Sequence, residues 1–148
     1  MGYSLKAFEP VKNVTPSASL DIDVFTVPAS HTYLLKHLSI RMVADSSTAT
    51  TGKIQVSATD GTTFTDVTSA FSTGATTGNT KAVDFCIPYT NVADSAVAST
   101  TTSTRATTSA LHNLILAAGQ KLRVVKTGAT GGGNAPELSI LCSVVDFV

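Results

Sequence analysis

Leu20-Asp21-Ile22-Asp23-Val24, broken by Val27-Pro28-Ala29-Ser30 and resumed from Tyr33 to Ala44, decides the fold of this chain. Apolar and polar residues alternate with the period of a strand, so Leu20, Ile22 and Val24 share one face and Asp21 and Asp23 the other. The proline marks a corner. Beyond it Leu38, Ile40, Met42 and Ala44 face in, while Ser39 and Arg41 face out.

The same period recurs outward from this stretch. Lys53 to Thr59 alternates through Ile54, Val56 and Ala58, and Asp60-Gly61 then gives a hairpin signal before Phe64 to Val67. A two-residue turn there requires positive φ at both central residues, which Asp tolerates and Gly adopts freely. A weak strand surrounds Phe71. Lys81 to Ile87 sets Val83, Phe85 and Ile87 on one face and is stopped by Pro88. Leu111 to Leu116, Gln120 to Lys126 and Glu137 to Val148 complete the set, the last with Leu138, Ile140, Cys142 and Val144 on one side, and a short helix competes only at Leu111 to Ala118. About eight short strands with Gly and Pro turns predict an all-β chain, a jelly-roll-like β-sandwich. Residues 1–19 read as an extended N-terminal arm carrying Tyr3, Leu5 and Phe8, and residues 20–148 as one sandwich domain. The arm either reaches a neighbouring subunit or folds back over its own sheet.

Composition narrows the function. The 148 residues are 43% hydrophobic and only 14% charged, and ten basic residues balance ten acidic ones. The surface is therefore built largely of hydroxyls, and the low net charge removes the self-repulsion that keeps monomers apart. A homo-oligomer is expected, with no basic footprint for nucleic acid and no segment of membrane-spanning length. Met1 to Lys6 lacks the basic region and apolar run of a signal peptide, which predicts a soluble chain made in a reducing cytoplasm. Cys86 and Cys142 are far apart in the sequence and read as buried free thiols.

No motif carries catalysis. His31, His37 and His112 lack the short spacing of a zinc site, and no Gly-x-Ser-x-Gly occurs among the serines. Asp21 and Asp23 fall short of the roughly six to eight oxygens that calcium takes. Gly128 to Gly133 lacks the Lys and hydroxyl ending of a phosphate loop. The expectation is a non-enzyme without metal or cofactor. A sugar platform is weakly supported, because there is no Trp and Tyr3, Tyr33 and Tyr89 are scattered. Asn91 to Ala110, which includes Arg105, is Thr-rich and reads either as a loop or as an element ordered against a partner.

Two stretches, Val27-Pro28-Ala29-Ser30-His31-Thr32-Tyr33-Leu34-Leu35-Lys36-His37-Leu38-Ser39-Ile40 and Leu114-Ile115-Leu116-Ala117-Ala118-Gly119-Gln120-Lys121-Leu122-Arg123-Val124, resemble small virion proteins of tailed bacteriophages. Within that group the chain is most similar to capsid decoration, or cement, proteins. The resemblance implies a jelly-roll domain that assembles as a trimer, binds the shell of major capsid protein and stabilises it, on a virion assembled in the host bacterial cytoplasm. The alternative it leaves is a tail or head-fibre component binding host-surface glycans. Tyr3, Leu5, Phe8 and Arg105 are the candidate contacts with capsid or with neighbouring subunits.

Overall fold

The computed structural model describes residues 2–8, 11–14, 20–44, 51–72, 79–86, 95–96, 114–127 and 137–148. Within them lie β1 (Tyr3–Ala7), β2 (Val11–Val14), β3 (Leu20–Thr26), β4 (Thr32–Ala44), β5 (Thr51–Ser57), β6 (Phe64–Asp66), β7 (Phe71–Ser72), β8 (Asn79–Cys86), β9 (Ser95–Ala96), β10 (Ile115–Ala117), β11 (Lys121–Thr127) and β12 (Glu137–Phe147).

All pairings are antiparallel and fall into two sheets. In sheet one, β1 and β2 lie end to end along one edge of β12, whose other edge pairs with β4. β10 and β8 lie end to end along the far edge of β4, and β9 adds two residues outside β8. In sheet two, β11 stands between β3 and β5, and β6 and β7 share the outer edge of β5. When β1 with β2 and β6 with β7 each count as one position, and β8 stands for the outer position beside β4, the main strands fall into eight positions in chain order. Their order is then 1-8-3-6 in one sheet and 2-7-4-5 in the other. This interleaving is the double Greek key of a jelly roll.

The core lies between the sheets. Ile22, Val24, Phe25, Tyr33, Leu35, Leu38, Ile40, Ile54, Leu116, Leu122, Val124, Ile140, Cys142 and Val144 are all buried. Each large apolar side chain removed from water contributes roughly 1.5–3 kcal/mol before chain entropy is charged against it. Two bulges change which residues reach this core. Val24 is an extra residue in β3 between the pairs Phe25↔Leu122 and Asp23↔Arg123, and Lys36 is extra in β4 between Leu35↔Val144 and His37↔Ser143. Inward parity therefore switches from Tyr33 and Leu35 to Leu38 and Ile40 along one strand.

The two stretches that carry the family resemblance meet at one end of the sandwich. β10 pairs with the start of β4, the Gly119 N–H donates to the Val27 carbonyl at 2.9 Å, and the Val27 N–H donates to the Gln120 carbonyl at 2.9 Å. Gly119 has φ +85°, and a Cβ there would stand 2.7 Å from the Thr59 carbonyl oxygen. The hairpin signalled by Asp60-Gly61 is present, but its turn differs from the expected one. Only Gly61 has positive φ, because the Asp60 carboxylate accepts from the Thr62 and Thr63 N–H groups at 2.8 and 3.0 Å, and the Gly61 N–H closes on the Ala58 carbonyl at 3.0 Å. The result is a longer, side-chain-capped loop. Where a helix competes in the sequence, at Leu111 to Ala118, the residues described from Leu114 onward contain the short strand β10.

The N-terminal stretch is extended and lies along its own sheet. Tyr3↔Phe147 through Ala7↔Ser143 are paired, and Gly2 and Val148 exchange N–H to carbonyl bonds at 3.2 and 3.1 Å.

Candidate interaction surface

Alternation sends every second residue of each sheet outward, and the two outer faces differ in chemistry. On sheet two, Arg123 of β11 holds Asp23 through Nε at 2.7 Å and Asp21 through Nη1 at 3.4 Å, with Lys121 at 3.5 Å from Asp23. The Arg123 guanidinium also lies 3.6 Å from the centre of the Phe64 ring. On the neighbouring strands Lys53 and Gln55 donate to Asp66 at 2.6 and 2.7 Å. The hydrogen bond from Arg123 holds the Asp23 carboxyl below the usual carboxylate range, and that from Lys53 does the same for Asp66. The two aspartates weighed as calcium ligands are thus neutralised within the chain, and among the described residues no three acidic, His or Cys side chains converge. Exposed pairs of this kind contribute little stability each, and act here by opposing unlike charges at a fixed strand register.

The end of sheet one where β1 and β10 lie presents the opposite character. Leu5↔Val145, Val145↔Leu34 and Leu34↔Ile115 are directly opposed pairs, so four aliphatic side chains form one continuous row across β1, β12, β4 and β10. Each points outward, because its neighbours along the strand in β12, β4 and β10 are the buried Val144, Asp146, Tyr33, Leu35 and Leu116. The adjacent row is Tyr3, Phe147, Thr32 and Ala117, with the rings of Tyr3 and Phe147 at 6.5 Å. Tyr3, Leu5 and Ile115 are 79%, 74% and 62% exposed, and Leu141 adds a further exposed side chain on the same face of β12.

The strand that displays Tyr3 and Leu5 is clamped from within. The Lys6 ammonium donates to the Tyr33 hydroxyl at 2.9 Å and lies 5.3 Å from the ring centres of both Tyr33 and Phe8. Phe8 stacks on Phe25 at 4.7 Å, and both rings contact Tyr33, at 5.9 and 5.4 Å. The bond to Tyr33 raises the Lys6 pKa, burial opposes the rise, and the neighbouring charge of Asp146 adds to it. His31 Nδ1 meets the buried Asp146 carboxylate at 2.8 Å, and its ring stands edge-on to Tyr33. A remote histidine and carboxylate are thereby joined at a structural corner.

Of the residues singled out in the sequence, Tyr3 and Leu5 lie together on the open face, Phe8 is engaged in the aromatic cluster behind it, and Arg105 lies outside the described residues. Gly128 to Gly133 and Tyr89 also lie outside them. Tyr33, weighed as part of a sugar platform, is wholly buried. Ile115, Leu34, Val145, Phe147 and Leu141 were not anticipated. Their signal was present in β12, where Leu141, Val145 and Phe147 interleave with the inward Ile140, Cys142 and Val144, a near-continuous apolar run typical of a strand covered on both faces. Cys142 is free, and burial pushes its thiol up to about 12, far from the range of a reactive thiolate.

The class defined by this architecture is the jelly-roll β-sandwich. No protein-family model matches the sequence, and no curated protein matches it. Among solved structures, the chain is similar to the infectious bursal disease virus VP2 subviral particle (14% identity, TM-score 0.42, covering 97% of this chain and 32% of that one). It is also similar to a chain of the T13 viral particle of the same virus (12% identity, TM-score 0.44, covering 97% and 30%). The Gx strain of that virus gives 11% identity and a TM-score of 0.37. This chain spans about a third of the length of those viral chains.

Proposed function

We propose that this protein is a structural virion component, a decoration protein that docks as a trimer on the assembled shell of a bacteriophage, takes the major capsid protein as its partner and stabilises the particle from its outer surface. Jelly rolls also serve lectins and cupins, so the fold alone does not decide between roles. The observation that carries the reading is the aliphatic row open on one sheet of a chain whose opposite face is closed by its own ion pairs. A contiguous exposed apolar patch marks an interaction site. The resemblance of the Val27 to Ile40 and Leu114 to Val124 stretches to phage virion proteins supplies the setting. An oligomer that engages several capsid subunits at once multiplies modest individual contacts, which suits a small hydroxyl-rich surface.

The test is co-sedimentation of the purified protein with mature phage capsids and with unassembled capsid subunits, followed by thermal rupture of the decorated shells. Binding restricted to assembled shells, with a raised rupture temperature, is the expected result. Equal recovery with and without capsids, or an unchanged rupture temperature at saturation, overturns the proposal.

A further inference from the structure

We draw no further inference here: the strongest candidate, the open apolar patch that Tyr3, Leu5, Leu34, Ile115 and Val145 form at the β1 and β10 end of sheet one, is an unpartnered face, and nothing in the structure shows what covers it.

Discussion

Phe8→Ala is the perturbation that most directly asks whether the N-terminal strand belongs to the sandwich. The ring is half-buried, stacked on Phe25 at 4.7 Å and tilted against Tyr33 at 5.9 Å. Truncating a fully buried Phe costs about 3–5 kcal/mol, and half burial brings that to about 2 kcal/mol. Loss of two ring contacts, worth about 0.5–1.5 kcal/mol each but partly counted in the burial, raises the expected total to about 2–3 kcal/mol. For a chain of this length that corresponds to a fall in Tm of roughly 5–10 °C. Urea unfolding at a fixed chain concentration should show a lower midpoint with an unchanged slope, because the same surface is exposed in one cooperative event. Phe8→Leu, which keeps most of the volume, should recover more than half of the loss. A change below about 0.5 kcal/mol, the level of an ordinary surface substitution, would refute the packing argument. So would a separate early transition in which β1 leaves while the rest stays folded.

Two further outcomes follow from the turns and the carboxylates. Gly119→Ala should destabilise by about 2–3 kcal/mol, since positive φ alone costs a side chain roughly 1–2 kcal/mol and the new Cβ meets the Thr59 carbonyl; Gly61→Ala, with no atom nearer than 3.4 Å, should cost less, and urea midpoints for the two rank them. Acid should weaken the fold in a defined window. Asp23, Asp66 and Asp60 all sit below the ordinary value of 3.8, Asp60 at about 2 because the Thr63 and Thr62 N–H groups bind its carboxylate. A depressed folded pKa gives stability that is complete above 3.8 and is lost as pH falls through the folded value. Midpoints that stay flat between 3.8 and about 2 would contradict the hydrogen-bonding pattern.

Alternation exposed the architecture wherever a strand kept one parity. Ile22 and Val24, Leu38 and Ile40, Ile54, and Ile140, Cys142 and Val144 were all legible as inward positions, and the structure buries them. Phe25, Tyr33 and Leu35 were not, because the extra residues Val24 and Lys36 reverse the parity within a single strand and a period of two cannot report a bulge. The turn after Ser57 was legible as a hairpin but not in type, since Asp60 uses its carboxylate to cap the loop instead of adopting positive φ. The apolar row was the least legible feature. Leu5 and Ile115 are distant in sequence and become neighbours in one row only through the pairing of β1 with β12, β12 with β4 and β4 with β10, and no local pattern fixes such register.

The uneven placement of charge explains how so sparsely charged a chain keeps a specific fold and still offers a docking face. A cross-strand ion pair on sheet two opposes Asp23 to Arg123 and a cross-strand hydrogen bond opposes Gln55 to Asp66 at fixed register, and a one-residue slip would separate these partners and turn the core side chains outward. Sheet one has a different source of register. There Lys6, Phe8, Phe25 and Tyr33 lock β1 from the inner side, where Lys6 to Tyr33 is a bond that only the native alignment of β1 on β12 allows. Because that clamp lies behind the strand, β1 is held mainly from its inner side, and the outer Tyr3 and Leu5, set beside Phe147 and Val145, remain largely exposed and open to a partner. Substitutions at Phe8 and at Leu5 should therefore separate cleanly, the first lowering stability with association following only as the fold is lost, the second lowering association with the monomer's unfolding midpoint unchanged.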